Sequence, residues 1–162
     1  MEVDMVTVGL YKSNTIISKL IRWQTRGKYS HAALHFGGDK VAVEAWHKGG
    51  VQKGPVGHLH ANGTQIDIYD IKRFFFEDVV EAYATEQVGK PYDFTMVARF
   101  MSRRGESSRS KEKLFCSELV FDALNKGGLN LFKKTRGWEV SPDLLKRSPY
   151  LSYSHTIIVG ED

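Results

Sequence analysis

The segment YSHAALHFGGDKVAVEAW, residues 29–46, predicts a β-hairpin, and this hairpin constrains the fold more than any other part of the sequence. Two runs of strand-forming residues flank a turn whose glycines and aspartate favour a tight reversal of the chain. Pairing across Gly38–Asp39 sets residue 33 opposite residue 44. His31 and Glu44 then share one face as diagonal cross-strand neighbours, roughly 7–8 Å apart at the backbone. Because an imidazole and a glutamate side chain can close that gap, we expect Glu44 to orient His31.

The segment FCSELVFDALNKGG, residues 115–128, predicts a helix with Cys116 in its first turn. Unpaired backbone N–H groups and the helix dipole stabilise an anion at that position. We therefore expect a lowered thiol pKa, between about 3.5 and 7.5 when a histidinium assists. Core packing is the alternative, because apolar residues follow Cys116 at the spacing i+3, i+4 and i+7.

Cys116, His31 and Glu44 supply the three parts of a nucleophilic catalytic triad. A cysteine attacks a carbonyl group, a histidine moves the proton, and a third residue fixes the tautomer of the histidine. A glutamate inside a strand-forming run is costly to bury without a partner, which favours the same arrangement. The chain contains one cysteine, so an intramolecular disulfide is excluded and the thiol is available for reaction.

The rest of the chain alternates between strand-like and helix-like patterns. Strands are predicted at residues 5–11, 64–71 and 154–160, and helices at residues 15–26, 76–89, 90–101 and 141–148. We expect Asn14 to cap the first helix, and Trp23, Val79 and Val88 to face the core. Residues 47–63 are rich in turn-forming residues and predict a loop. This order of elements indicates an α+β fold in which an antiparallel sheet packs against helices.

Composition places the chain among ordinary globular proteins. At 162 residues, with 41% hydrophobic and 26% charged residues, it fits one soluble domain, residues 1–162. No apolar run reaches the roughly 20 residues that span a bilayer, and the first residues lack the pattern of a signal peptide. We therefore expect a cytoplasmic protein, and the same features fit a phage-encoded protein released by lysis.

The motifs TRGKYSHAALHFGGDKVAVEAW, GKPYDF and FCSELVFDAL resemble the circularly permuted NlpC-type papain-like cysteine hydrolases of the YiiX/YaeF-like family. The resemblance runs from about Gly9 to Gly128, and in that family the histidine precedes the cysteine along the chain. It implies a permuted papain-like α+β fold with the nucleophile at a helix N-terminus. It also implies that Cys116 is the nucleophile, His31 the general base and then acid, and Glu44 the orienting residue.

Three further residues are candidates for substrate binding. Tyr92, in the motif GKPYDF, matches a tyrosine that is associated with the active site in the family. Ser117 follows the nucleophile directly. His35 shares the strand face of His31, although packing or hydrogen bonding is the more common role for such a histidine. The prediction includes no metal and no cofactor.

These residues predict a cysteine hydrolase that cleaves a peptide or small N-acyl amide bond through an acyl-enzyme. The lecithin:retinol acyltransferase-like proteins share the permuted arrangement, so a lipid acyltransferase or thioesterase acting on membrane lipid is the alternative within the same chemistry. An alternative of another class is a non-enzymatic module that binds phosphate through the basic loop 99–113, which carries much of the net charge of +4. Few aromatic residues that could stack on bases accompany that loop, so nucleic acid is not an expected partner. The sequence does not indicate an oligomeric state.

The other histidines have no comparable partners in the sequence. His47, His58 and His60 lie among glycines in the predicted loop and show no zinc-ligand spacing. We expect His155 at an edge or rim of the last strand. A metal site is chemically feasible but matches no ligand motif, and it would be built from His31, His35, Glu44 and Cys116.

Overall fold

The computed structural model describes residues 5–94 and 115–161 of the chain. The strands of its sheet are β1 (Thr7–Lys12), β2 (His31–Phe36), β3 (Val41–Trp46), β4 (Gly50–Pro55), β5 (Gln65–Ile71) and β6 (Leu151–Ile158). The described helices are α1 (Ile16–Thr25), α2 (Glu77–Glu86), α3 (Cys116–Lys126) and α4 (Pro142–Leu145), with a 3₁₀ turn at Gly137–Glu139. Within these ranges, no helix has the length and apolar character needed to cross a membrane.

The strands form one antiparallel sheet in the order β4-β3-β2-β1-β5-β6. β2 and β3 form the predicted hairpin, and Leu34 lies opposite Val43, which is the predicted register. β1 lies between β2 and β5 and sets Tyr11 opposite His31. The α+β class expected from the sequence is therefore confirmed.

The two faces of the sheet contribute to different apolar clusters. On one face, Leu34 and its neighbours pack with α2 and α3 in a large cluster. The buried residues of a smaller cluster on the other face are Tyr11, Ala33, Ala42, Ile66 and Ile68. Because side chains alternate along a strand, His31 and Glu44 lie on the face of the smaller cluster.

The prediction of a loop at residues 47–63 is wrong in part, because this segment contains β4. This strand pairs with β3 along its whole length, from Trp46 opposite Gly50 to Val41 opposite Pro55. Its sequence, GVQKGP, is poor in strand-forming residues, and most of its side chains are half-buried or exposed. β4 is an edge strand, so its position depends on main-chain pairing with β3 rather than on an apolar pattern.

Two helix predictions also need correction. Thr15, rather than Asn14, caps α1, because the Thr15 hydroxyl accepts a backbone hydrogen bond from the first turn. Trp23 is 72% exposed, and Val79 and Val88 are 44% and 43% exposed. The prediction that these three residues face the core is therefore wrong.

The other predicted elements agree with the structure where it describes them. The remaining predicted strands correspond to β1, β5 and β6, and the short predicted helix corresponds to α4. The basic loop 99–113 and most of the helix predicted at 90–101 lie outside the described residues.

Candidate active site

Glu44 accepts hydrogen bonds from two histidines on one carboxylate oxygen. Glu44 Oε2 lies 2.6 Å from His31 Nε2 and 2.8 Å from His60 Nε2. All three side chains are buried. A buried carboxylate is costly without such donors, and hydrogen bonds to an ionised group are the strong ones. The two imidazoles therefore hold Glu44 in one orientation.

The pKa of Glu44 reflects these two bonds. Burial alone would raise the pKa of a carboxyl group. The hydrogen bonds and charges of His31 and His60 outweigh that effect and lower the pKa of Glu44 well below its ordinary value. Glu44 is therefore ionised at neutral pH and accepts an N–H bond from each ring.

His31 is the first residue of β2, and its ring packs among other aromatic rings. Its centroid lies 4.9 Å from that of Tyr11, 5.2 Å from that of Trp46 and 5.1 Å from that of His60. Burial lowers the pKa of His31 below its ordinary value, although the hydrogen bond to Glu44 opposes the shift. The ring is neutral at neutral pH. Because Nε2 carries the proton donated to Glu44, the free lone pair is on Nδ1.

Cys116 is the first residue of α3, as predicted, and is 1% exposed. Burial raises the pKa of the Cys116 thiol to about 12, against the opposing effect of three backbone amides that lie against the sulfur, those of Ala32, Ser117 and Cys116 itself. The predicted lowering of the thiol pKa is therefore wrong, because this helix N-terminus is shielded from solvent. The thiol and the His31 imidazole are both neutral in the resting protein.

Ala32 connects the two parts of the site. It follows His31 in β2, and its backbone amide lies against the sulfur of Cys116. The thiol therefore lies beside the strand that carries the histidine. The negative charge of Glu44 also reaches Cys116 and adds to the rise in the thiol pKa. Cys116 itself packs in the large cluster on the other face of the sheet from His31 and Glu44, so the start of β2 is the element that relates the thiol to the histidine.

Tyr92 packs against Phe115, next to Cys116. Its ring centroid is 5.0 Å from that of Phe94 and 5.7 Å from that of Phe115, the residue before Cys116. Burial raises the pKa of Tyr92 well above its ordinary value, and the charge of the Cys116 thiolate adds to the rise. The Tyr92 hydroxyl is therefore protonated at neutral pH and available as a hydrogen-bond donor.

The other two candidate substrate-binding residues have structural partners. The Ser117 hydroxyl donates to the Val140 carbonyl at 2.5 Å and so ties α3 to the segment before α4. His35 is fully buried, with Nε2 2.7 Å from the Tyr11 hydroxyl and Nδ1 3.4 Å from Asp39. Both side chains are engaged inside the protein, and a part for them in substrate binding stays a prediction.

The sequence did not reveal His60 as a site residue. It lies in the connection between β4 and β5, 16 residues from Glu44 along the chain. No periodic pattern in this glycine-rich connection relates the two positions. The available signal was Glu44 itself, since an ionised carboxylate buried in a strand can accept more hydrogen bonds than His31 alone provides.

The same cluster could hold a metal ion. One ligating atom from each of His31, Glu44 and His60 lies within 4.8 Å of the others. The separations of 2.6 and 2.8 Å from the shared oxygen are the lengths of hydrogen bonds. The cluster is therefore a hydrogen-bonded one. His35 and Cys116 do not belong to it, so the ligand set considered from the sequence is wrong.

Two cavities lie near these elements. One, of about 520 Å³, is lined by residues that include Trp46 and His60, and so it adjoins the hydrogen-bonded cluster. The other, of about 1030 Å³, lies between α2 and α3, and its described lining residues include no member of the cluster. The smaller cavity is therefore the one beside the candidate chemistry.

Known proteins support this view of the fold. Residues 10–136 match the family model of the permuted papain-like amidase enzymes, the YaeF/YiiX or C92 family. The structure is similar to the crystal structure of metalloprotein yiiX from Escherichia coli O157:H7, with a TM-score of 0.73 and 19% sequence identity over 98% of this chain and 99% of that chain. No curated protein matches the sequence. The permuted papain-like fold expected from the sequence is confirmed.

Proposed function

Because the chain belongs to the permuted papain-like amidase family and is a cysteine hydrolase, we propose that Cys116, His31 and Glu44 form its catalytic triad and cleave an amide bond. The 2.6 Å hydrogen bond between His31 and the buried carboxylate of Glu44 carries this proposal. It fixes the tautomer whose free Nδ1 can accept a proton. The substrate class is an amide of a small molecule or a peptide.

Acylation begins from two neutral groups. The Cys116 sulfur attacks the carbonyl carbon while His31 Nδ1 takes the thiol proton, so no stable ion pair is needed beforehand. The imidazolium that forms is stabilised by the ionised Glu44, which His60 holds in place. His31 then gives its proton to the amide nitrogen, the C–N bond breaks, and the amine leaves.

Backbone amides stabilise the oxyanion of the tetrahedral intermediate. The N–H groups of Cys116 and Ser117 lie at the start of α3, against the sulfur, where the helix dipole also favours negative charge. The protonated hydroxyl of Tyr92, whose pKa responds to the charge of Cys116, is our candidate for a further donor. Water then attacks the thioester with His31 as general base, and this step releases a carboxylic acid and restores the thiol.

The triad is tested with a panel of N-acyl aminomethylcoumarin amides whose acyl groups range from acetyl to palmitoyl. Cys116→Ser and His31→Ala should each lower kcat/KM by at least about 10³-fold, and Glu44→Gln by about 10²- to 10⁴-fold. Acid-quenched wild-type protein should carry the acyl mass on Cys116. His155→Ala, which alters a half-exposed histidine elsewhere in the sheet, is the matched control and should keep wild-type activity. Hydrolysis that survives Cys116→Ser would refute the proposal.

The lipid acyltransferase alternative uses the same nucleophile and differs in its acceptor. It predicts that the acyl group comes from a phospholipid ester and passes to an amine or alcohol rather than to water. Incubating the wild-type protein with phosphatidylcholine vesicles, with and without an added amine, separates the two. Acyl-enzyme formed from amides but not from vesicles supports the amidase proposal, and the reverse result favours the acyltransferase.

A further inference from the structure

We propose that Tyr11 and His35 are positioning residues for the general base. The ring of Tyr11 packs against the imidazole of His31, and a hydrogen bond between the Tyr11 hydroxyl and His35 holds that ring in place. This inference rests on the proposed function. It extends the site from the triad to a second pair of buried polar side chains on the same face of the sheet.

Tyr11 contacts both imidazoles that bind Glu44. It lies directly opposite His31 where β1 pairs with β2, so the two side chains share a face of the sheet. The centroid of its ring lies 4.9 Å from that of His31, at an interplanar angle of 71°, and 4.4 Å from that of His60. These are edge-to-face contacts between packed rings. Because the interior is close-packed, the position of the Tyr11 ring limits how far the His31 ring can turn away from Glu44.

His35 fixes the far end of the Tyr11 side chain. The Tyr11 hydroxyl lies 2.7 Å from His35 Nε2, and both residues are fully buried. Asp39 Oδ1 lies 3.4 Å from the other ring nitrogen, Nδ1, and its charge favours the proton there. In the neutral ring, Nε2 then accepts the hydrogen bond that the Tyr11 hydroxyl donates. Gly9 leaves room for this ring, since a Cβ atom at that position would lie 2.5 Å from His35 Nε2.

The polar pair lies where apolar side chains would serve the fold as well. The buried residues that share the smaller cluster with Tyr11 are Ala33, Ala42, Ile66 and Ile68. A buried hydrogen bond between side chains adds little net stability, and two apolar groups of the same shape can replace it at nearly no cost. The hydrogen bond adds a fixed direction, because it keeps the Tyr11 ring in one orientation against His31.

A fixed His31 ring matters most while the proton moves. His31 takes the thiol proton on Nδ1 while Nε2 stays bonded to Glu44, so the rate depends on the orientation of the ring. Tyr11 and His35 act through His31 and take no part in bond making. Their loss should therefore lower kcat and leave KM unchanged.

A double-mutant cycle on kcat tests the hydrogen bond. Tyr11→Phe keeps the ring and removes the hydroxyl, and His35→Leu removes the acceptor. Each should lower kcat for the best coumarin amide by about 3- to 10-fold, with KM unchanged. Because both changes break the same bond, the double variant should lose no more than the larger single loss. His35→Gln, which retains an acceptor, should restore part of the rate.

The matched control for this cycle is Tyr153→Phe. Tyr153 is an exposed tyrosine of β6, and its hydroxyl forms a 2.8 Å hydrogen bond with Thr156. Removing this hydroxyl should leave kcat at the wild-type value.

Hydrogen exchange measures the same effect without turnover. The Nε2–H proton of His31 can be assigned by NMR from its absence in His31→Gln, and its exchange with water reports how often the ring leaves Glu44. This exchange should be about 3- to 10-fold faster in Tyr11→Phe and in His35→Leu. The backbone N–H of Leu34, in the middle of β2, reports general loosening of the sheet and should accelerate less.

The outcomes separate this inference from the triad proposal. Unchanged kcat in Tyr11→Phe, additive losses in the double variant, or exchange at His31 that accelerates no more than at Leu34 would each overturn it. If exchange responds as expected but the wild-type protein cleaves no coumarin amide, the positioning of His31 stands and the proposed function fails. If hydrolysis requires Cys116 but not the Tyr11 hydroxyl, the triad stands and the inference is wrong.

Discussion

Glu44 determines the geometry of the candidate active site at the scale of single residues. A carboxylate buried in the middle of a sheet carries a large desolvation cost, which hydrogen bonds to one of its oxygens offset in part. His31 and His60 supply those hydrogen bonds, at 2.6 and 2.8 Å from one oxygen. The cost of burying Glu44 thus favours one orientation of His31, the orientation that leaves Nδ1 free.

We expect His60→Ala to lower kcat by about 10- to 100-fold, because one charge-assisted hydrogen bond to Glu44 is lost. The acid limb of the pH–rate profile, which reports protonation of His31, should move to higher pH, since the charge of His60 helps to lower the pKa of His31. A residue with a merely structural role would not shift that limb. His60→Gln, which retains an N–H donor, should restore part of the rate.

The matched comparison for this prediction is His155→Ala. A His60→Ala profile with an unchanged acid limb, or a His155→Ala profile with the same shift, would show that His60 does not act on the pair of His31 and Glu44.

The sequence predicted the contact of His31 with Glu44 because a tight turn and the two-residue period of strands fix which side chains share a face. It could not predict His60, whose position depends on the path of an irregular connection. It also gave the wrong direction for the pKa of Cys116. A helix N-terminus stabilises a thiolate locally, but the loss of solvent around the sulfur depends on packing by distant segments, and burial is the larger effect here.

At the scale of elements, β1 and β2 approach closely at Gly9. A Cβ atom at this position would lie 2.5 Å from Nε2 of His35, which is the atom that contacts the Tyr11 hydroxyl. We expect Gly9→Ala to lower the free energy of unfolding by about 1–3 kcal/mol, as other overpacked substitutions do. Urea denaturation measures this effect.

A double-mutant cycle provides the control. In a His35→Ala background the space beside residue 9 is larger, so Gly9→Ala should cost less there than in the wild-type protein. Equal costs in the two backgrounds would show that His35 is not the neighbour that excludes a side chain.

Elements with a regular apolar pattern were predictable and edge elements were not. β2, β3 and β5 are buried in the centre of the sheet, and their strand-forming residues identify them. β4 has no such pattern, because its side chains contribute little to the core and its backbone is held by β3. The same reason explains the exposure of Trp23, since helical spacing identifies a face but not whether another element covers it.

At the scale of the whole molecule, the buried cluster makes stability depend on pH. Burial lowers the pKa of His31 below its ordinary value of about 6.5. The unfolded chain then binds more protons than the folded protein between the two pKa values. The contribution of His31 is therefore complete above about pH 6.5 and is lost as the pH falls toward the folded pKa. Glu44, whose pKa is also lowered, contributes above about pH 4.5 and loses its contribution as the pH falls further.

The free energy of unfolding, measured by urea denaturation, should decrease as the pH falls from about 8 to about 5. His31→Gln should flatten this dependence, and His155→Gln should leave it unchanged. A dependence that is the same in wild type and His31→Gln would mean that His31 is not held neutral by burial.

The order of the site residues along the chain follows from the permuted architecture. His31 and Glu44 lie on the hairpin near the start, and Cys116 reaches the backbone of β2 at Ala32 on a helix that comes much later. The sequence predicted this architecture because its two motifs are local, one on the hairpin and one on the helix. The sequence could not predict the packing around these motifs. This packing sets the protonation states of His31 and Cys116.

The most direct test of the triad is the rate at which iodoacetamide alkylates Cys116 as a function of pH, measured by intact mass in wild type, His31→Ala and Glu44→Gln. The chain has one cysteine, so one added mass reports one site. We predict that the wild-type thiol reacts near neutral pH through proton transfer to His31 and slows as His31 becomes protonated. His31→Ala should react at least about 100-fold more slowly at pH 7 and then rise about tenfold per pH unit toward the thiol pKa of about 12, with Glu44→Gln between the two. Superimposable profiles for the wild type and His31→Ala would contradict the triad.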